Sequence, residues 1–255
     1  LYVSNPKGIN REVRRRSLDA LKKLNEFELK QFGNPETLTR INQYELAFRM
    51  QMSVPEAVDL TSETKATHEL YGTTGGAPSF ANNCLLARRM VERGVRFIQL
   101  FDYGWDMHGT SKGNDLITAV PNKAKDIDRP LYALITDLKQ RGLLDETLIV
   151  WSGEFGRTSM NEARNGSTFL GRDHHPHCYT IWMAGGGIKG GVSYGETDEL
   201  GYFVAEKKAS VRDLQSTILH LTGLDARKMK MPYQGLDQRL IGPADEDHLL
   251  EGVLA

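Results

Sequence analysis

From residue 79 onward, short apolar runs alternate with longer amphipathic segments, and this alternation constrains the fold more than any other feature of the sequence. The strand-like runs are residues 95–101, 147–151 and 179–184. The helical patterns cover residues 79–93, the region around 123–141, and residues 211–221. Strands that alternate with helices predict a mostly parallel sheet with helices on both faces. We therefore expect an α/β domain over residues 79–255.

The first 78 residues follow a different pattern, which is helical and then irregular. Apolar residues recur at near-helical spacing between residues 12 and 32. Asn34 and Pro35 then predict the start of a second helix, because Asn is a favoured N-cap and Pro is favoured in the first turn. Residues 53–80 are rich in Thr, Ser, Gly and Pro, which predicts a long irregular connection. A helical hairpin and a connecting segment are thus expected in residues 1–78, ahead of the α/β domain.

Charge and hydropathy exclude two classes of partner. The 255 residues carry a formal net charge of −1, so bulk electrostatics gives no support for binding to nucleic acid or to an anionic membrane surface. No apolar run approaches the ~20 residues that a membrane-spanning helix needs.

The two cysteines, Cys84 and Cys178, lie in apolar runs, and we expect buried free thiols rather than a disulfide.

Polar residues collect where the predicted strands begin or end. One cluster follows the first strand, one follows the second, and the third lies just before the third strand. The clusters contain Asp106 and His108; Glu154 and Arg157; and Arg172, Asp173, His174 and His175. Ligands of open α/β sheets bind beyond the carboxyl ends of the strands. We therefore expect the clusters to converge into one polar site at the edge of the sheet.

The residue types in these clusters indicate a metal. The Asp-x-His spacing of Asp106 and His108 places a carboxylate and an imidazole on the same side of an extended segment. Both groups are ligands of zinc, manganese or iron, and the carboxylate offsets the charge of the cation. The candidate ligands are Asp106, His108, Glu154, Asp173, His174 and His175. A polar network in which these residues only brace each other is the alternative, and the coincidence of three clusters favours the metal.

Two arginines flank the candidate ligands. A guanidinium near a metal suits a phosphate or sulfate oxygen, because its planar fork matches two oxygens. Arg157 and Arg172 are therefore candidate catalytic residues. Each could instead form a salt bridge with Glu154 or Asp173, and both alternatives stay open at this stage.

Four motifs in order give the chain a resemblance to a known family. They are residues 105–108, 153–158, 171–176 and 184–191, and residues 44–51 and 84–89 extend the likeness over nearly all of the chain. The sequence resembles the sulfatase-like bacterial domain-of-unknown-function family, which is placed in the alkaline-phosphatase superfamily. The resemblance implies an alkaline-phosphatase-like α/β fold and a divalent metal, with zinc or manganese the leading candidates and calcium an alternative.

The resemblance also implies roles for particular residues. Asp106 and His108 match an Asp-and-His pair on one metal, which His174 or His175 would complete. Glu154 stands where many relatives carry the Asp of an Asp-His-Gly motif, and Phe155 replaces the histidine, which removes a ligand from the second metal. Full-length relatives begin with an export signal and a segment that carries the nucleophile, so we expect this chain to be a C-terminal fragment of a periplasmic or secreted protein.

Three functions are compatible with these features. The first is a metal-dependent hydrolase of sulfate or phosphate esters that acts on a small anionic ester or a sulfated polysaccharide. The second is a catalytically degenerate exported protein that keeps the fold and serves in binding or assembly. The third is a zinc amidase or deacetylase built on the same His-rich loop.

Overall fold

A computed structural model of the protein describes residues 5–162, 164–242 and 247–255. Its contacts divide the chain into two units. The first comprises the described residues up to His68 together with Thr74–Pro78. The second comprises Glu69–Thr73 and the described residues from Ser79 to Ala255, and it contains every candidate ligand.

The first unit contains the predicted pair of helices, α1 (Arg11–Phe32) and α2 (Pro35–Val58). The side chain of Asn10 accepts a hydrogen bond from the backbone of α1, and Gly33 ends that helix in a left-handed conformation with φ 65°. Arg15 of α1 donates two hydrogen bonds to the carboxylate of Glu45 in α2, at 2.6 and 3.1 Å. Local capping and one bidentate ion pair therefore define this hairpin.

The irregular connection predicted for residues 53–80 is largely wrong. The helix α2 continues past Pro55, a 3-10 turn covers Leu60–Ser62, and α3 covers Lys65–Tyr71. Polar side chains of this stretch instead bind the backbone at the starts of the helical segments. The side chain of Asp59 accepts a hydrogen bond from the backbone of Thr61, and that of Thr64 accepts one from Thr67. Ser, Thr and Asp favour helix ends as strongly as loops, which explains the error.

The second unit is built around α4 (Phe80–Glu92) and α5 (Ala119–Gln140), which pack against each other. Their buried apolar residues are Ala81, Cys84, Leu85 and Ala87 in α4, and Ile127, Ala133, Leu134 and Leu138 in α5. Pro130 lies inside α5 without dividing it. A third helix, α6 (Val211–Leu221), begins with a capping box of Ser210 and Asp213, as the pattern predicts for its start. None of the helices in the described residues is long and apolar enough to cross a membrane.

The strands of the described residues form antiparallel pairs. The first strand β1 (Ile149–Trp151) pairs with β4 (Trp182–Ala184), and β2 (Gly156–Arg157) pairs with β3 (His174–His175). The remaining pairs are β5 (Glu196–Thr197) with β6 (Val204–Glu206), and β7 (Lys230–Tyr233) with β8 (Leu236–Arg239). Each pair is a separate two-stranded sheet.

The predicted alkaline-phosphatase-like parallel sheet is therefore wrong. Residues 95–101, all of which the structure describes, form no strand, and Phe97 and Phe101 are exposed. A parallel neighbour for β1 requires a crossover connection, usually a helix. The chain between β1 and β4 instead returns through the β2–β3 pair, so that one antiparallel pair is nested inside the other. The apolar runs indicated strands, but neither their direction nor their partners.

Candidate metal centre

The site is built where two loops touch backbone to backbone. A Cβ atom on Gly171 would lie 1.9 Å from the carbonyl carbon of His108, and one on Gly109 would lie 2.6 Å from the nitrogen of Gly171. Gly109 also has a φ of +72°, which only glycine adopts readily. Hydrogen bonds from Arg172 N to Met107 O (3.2 Å) and from Leu116 N to Leu170 O (3.0 Å) hold the loops together. Two glycines thus place His108 beside the loop that follows β2.

Asn114 shapes the loop that carries Asp106 and His108. Its side-chain oxygen accepts a hydrogen bond from His108 N at 2.9 Å, and its Nδ2 donates to Asp106 O at 2.7 Å. Its backbone oxygen accepts from Gly109 N at 2.7 Å. These bonds close the loop into a compact turn, which brings the two side chains of the Asp-x-His pair together.

The β2–β3 pair delivers an arginine and a histidine to the same place. Arg157 lies directly opposite His174 in the register, so both side chains project from one face of the pair. His175 lies opposite Gly156 and projects from the other face, because successive residues of a strand alternate. There its Nε2 lies 2.5 Å from the backbone oxygen of Tyr202. Strand alternation therefore separates the two neighbouring histidines.

These elements converge on one oxygen of Asp106. The Nε2 atoms of His108 and His174 each lie 2.9 Å from Asp106 Oδ1, and Nη2 of Arg157 donates to the same oxygen at 2.8 Å. The ligand atoms of Asp106, His108 and His174 all lie within 4.8 Å of one another. The hydrogen bonds from His174 and Arg157 hold the pKa of Asp106 well below its usual range. The structure thus brings together three of the six ligands suggested by the sequence.

A carboxylate that the sequence did not single out lies on the other side of His108. Glu162 Oε2 lies 2.5 Å from His108 Nδ1, and the second ligand group of the described residues consists of His108, Glu162 and Asp173. Burial raises the pKa of Glu162, but the bonds to His108 and Arg164 lower it by more, so its net pKa is below the ordinary value. Glu162 lies within a polar loop and has no characteristic spacing to the other ligands, so no sequence signal distinguishes it.

Of the remaining residues suggested by the sequence, Asp173 belongs to the second ligand group, and the others lie outside both groups. Among the described residues, neither ligand group includes Glu154, which is exposed, or His175. Asp173 accepts a hydrogen bond from His174 N at 2.8 Å. Arg172 donates to the backbone oxygen of Thr158 at 2.7 Å, so it braces the loop, whereas Arg157 reaches the ligands.

Phe155 supports one of the ligands. Its ring centroid lies 4.3 Å from that of His174, and the guanidinium carbon of Arg157 lies 5.8 Å from the centroid of Phe155. The aromatic ring therefore lies beside both side chains that reach Asp106 from the β2–β3 pair, and it restricts the rotamers open to His174.

Comparison with known proteins identifies the family of this chain. No solved structure shows a significant match. The chain matches the model of one protein family, described as "Protein of unknown function (DUF1501)", over residues 1–254. The expected likeness to a domain-of-unknown-function family is confirmed at this level. Because the match covers nearly the whole chain, this protein belongs to the DUF1501 family.

Proposed function

We propose that this protein is a metal-dependent hydrolase of phosphate or sulfate esters. One observation carries the proposal: a carboxylate and two imidazoles, from Asp106, His108 and His174, converge with their ligand atoms within 4.8 Å. This donor set is typical of catalytic zinc sites, which keep a further position open. Manganese accepts the same ligands, whereas calcium prefers a shell of oxygens. Zinc or manganese is therefore the proposed cation.

The exposure of the ligands supports a catalytic site over a structural one. His108 is buried, with 8% of its side chain exposed, but the side chains of Asp106 and His174 are 68% and 45% exposed. A cation held by these residues would be open to solvent and to an incoming ester. Closed structural zinc sites, in contrast, have four protein ligands.

Arg157 supports an anionic substrate. Its Nη2 reaches Asp106 Oδ1, so its positive charge lies next to the ligand atoms. A guanidinium in this position would bind the non-bridging oxygens of a phosphate or sulfate and orient the ester toward the ligands. Bound at this site, a divalent cation would polarise an ester oxygen and stabilise the charge that develops on the leaving group.

The likeness of the four motifs to sulfatase-like proteins of the alkaline-phosphatase superfamily belongs to the same proposal. The side chains of the candidate site support this likeness, whereas the topology of the strands does not. A small anionic ester or a sulfated polysaccharide as substrate, and a periplasmic or secreted location, follow from this likeness alone.

The proposal is tested by metal analysis and by hydrolysis of an aryl sulfate and an aryl phosphate, before and after treatment with a chelator. We expect bound zinc or manganese and hydrolysis of one ester, lost with the chelator and restored by the metal. Asp106→Ala and His174→Ala should lower metal affinity by more than the roughly 10–100-fold that loss of an outer hydrogen-bond partner costs. His220→Ala, which changes an exposed histidine of α6, is the matched control and should behave as the wild type.

A binding protein without turnover is a second candidate, and the position of Phe155 favours it. Phe155 lies against His174, at a position where the resemblance implies a histidine ligand. Such a protein would bind an anion through Arg157 and release it unchanged. Calorimetric titration of the zinc-loaded protein with sulfate and with phosphate would detect this binding, and Arg157→Ala should abolish it. Turnover of either ester that depends on the metal would contradict this second candidate.

A further inference from the structure

Both ring nitrogens of His108 face a carboxylate oxygen. Nε2 lies 2.9 Å from Asp106 Oδ1, and Nδ1 lies 2.5 Å from Glu162 Oε2. The ring is buried, and backbone contacts with Gly171 fix its loop, so it has little freedom to turn. The surroundings of each nitrogen therefore decide which one can bind a cation.

His108 is shared by the two ligand groups of the described residues. One joins it to Asp106 and His174, and the other joins it to Glu162 and Asp173. A neutral imidazole has a lone pair on one nitrogen and a proton on the other. It can therefore serve only one of the groups at a time, and a residue that holds the proton on one nitrogen directs the cation to the other.

Glu162 is the better placed of the two carboxylates to hold the proton. Its side chain is 12% exposed, against 68% for Asp106. Arg164 forms an ion pair with the Glu162 carboxylate, and the backbone of Glu162 donates to Gly171 O at 3.0 Å. Because Arg164 holds its carboxylate and Gly171 O holds its backbone, Glu162 is a preorganised acceptor. The carboxylate of Asp106 is exposed and therefore open to a cation from solvent.

We infer that Glu162 is a positioning residue, which holds the Nδ1 proton of His108 so that the Nε2 lone pair faces Asp106 and His174. The inference rests on the proposed function, because it assigns the cation to the ligand group that the proposal uses. Carboxylate–histidine–metal arrangements of this kind fix the tautomer and the ring orientation and raise the basicity of the ligand nitrogen. The cation thus belongs on the open side of His108, beside Arg157.

The test combines zinc affinity with NMR of the His108 ring in the full chain. In the zinc-loaded wild type, we expect ¹⁵N shifts that mark Nε2 as the metal-bound nitrogen and a slowly exchanging proton on Nδ1. Glu162→Ala should lower zinc affinity by about 10–100-fold and remove the slowly exchanging Nδ1 signal. Glu162→Gln keeps the side-chain shape and an acceptor oxygen, so its loss of affinity should be smaller.

Two controls separate positioning from loss of charge or of folding. Glu146→Gln removes one negative charge at an exposed residue and should leave zinc affinity unchanged. Circular dichroism of each variant reports whether the fold persists, and Glu162→Gln serves as the readout if Glu162→Ala does not fold. Zinc bound at Nδ1, or wild-type affinity and a wild-type Nδ1 signal in both Glu162 variants, would overturn the inference.

The outcomes for Glu162 and for the proposed function can be told apart. Hydrolysis of an ester with no effect of the Glu162 variants on zinc affinity would overturn the inference and leave the function standing. A loss of zinc affinity in these variants, with no hydrolysis by the wild type, would support the inference and count against the function.

Discussion

At the scale of single residues, the candidate site depends on glycines that let two loops touch. A Cβ on Gly171 would lie 1.9 Å from the carbonyl carbon of His108 and 2.2 Å from its oxygen. Contacts this short involve backbone on both sides, so no side-chain rotation can relieve them. The position of His108 relative to the loop of Glu162 is therefore set by the absence of a side chain at residue 171.

Gly171→Ala should separate the two loops and weaken the site. We expect a loss of about 1–3 kcal/mol in the free energy of unfolding, from overpacking, together with a lower zinc affinity. Gly113→Ala is the matched control, because a Cβ there would meet nothing within 4 Å and its backbone does not require glycine. Urea unfolding and zinc titration of both variants provide the measurement. Equal behaviour of the two variants would contradict the proposed role of Gly171.

The two thiols should differ in reactivity. Burial, with a smaller contribution from the negative charge of Asp102, raises the pKa of Cys84 to about 12, so its reactive thiolate is scarce at neutral pH. Cys178 is only half-buried. Iodoacetamide should therefore label Cys178 first in the folded protein and reach Cys84 only after unfolding in urea, as followed by mass spectrometry. Faster labelling of Cys84 in the folded state would show that the α4–α5 interior is open.

Individual site residues also show what a sequence can predict. Asp106 and His108 were predicted together because they are two positions apart, and a local turn closed by Asn114 brings them into contact. Glu162 is 54 positions from His108, and its contact depends on how two loops meet. His175 is adjacent to His174, yet strand alternation turns it to the opposite face. Local spacing therefore predicted part of the site, and tertiary contacts determined the rest.

At the scale of elements, helices were predicted better than strands because their signals are local. Asn10, Ser79 and Ser210 each accept a hydrogen bond from the first turn of the helix that follows, and such caps are visible in the sequence. A strand has no equivalent local signal for its partner. The runs at β1 and β4 would be apolar in either a parallel or an antiparallel pair, so they carry no information on the direction of pairing. The predicted parallel direction was wrong.

The packing of α4 on α5 depends on a buried ion pair. Arg88 and Asp137 have side chains that are 2% and 7% exposed, and Nε of Arg88 lies 3.0 Å from Asp137 Oδ2. Tyr71 donates a hydrogen bond to the same oxygen at 3.1 Å, and Arg141 bonds the other at 2.6 Å. Removal of the carboxylate would leave the buried Arg88 guanidinium with Glu92, whose Oε2 lies 2.6 Å from Nη1, as a counter-charge, and would remove the acceptor of Tyr71 and Arg141.

Asp137→Ala should therefore lower the free energy of unfolding by about 3–5 kcal/mol. Asp128→Ala, at an exposed position of the same helix, is the matched control and should change it by less than about 0.5 kcal/mol. Urea denaturation followed by circular dichroism measures both variants. A small effect of Asp137→Ala would mean that the Glu92 carboxylate is sufficient to compensate the buried charge of Arg88.

At the scale of the whole molecule, carboxylates determine how the folded chain responds to acid. Those with a pKa below the ordinary value are Glu45, Asp106, Glu162, Asp198, Asp213 and Asp225. Burial raises the pKa of Asp213, but hydrogen bonds from Ser210 and His248 lower it by more. In the unfolded chain these groups titrate near their reference values, about 3.9 for Asp and 4.3 for Glu. The unfolded state therefore binds protons more tightly than the folded state does.

It follows that these carboxylates stabilise the fold above a pH of about 4.3, and that this contribution is lost as the pH falls toward their lowered folded values. We expect the urea midpoint to fall steeply below about pH 4. Asp213→Asn should flatten this fall, because Asp213 accepts hydrogen bonds from Ser210 N and His248 N, each at 2.7 Å, which favour its ionised form more strongly in the folded state than in the unfolded state. Asp237→Asn, an exposed residue of β8, should keep the wild-type slope. An equal slope in the wild type and Asp213→Asn would show that the charge of Asp213 does not contribute to the acid response. A midpoint that rose on acidification would contradict the role of the whole set of carboxylates.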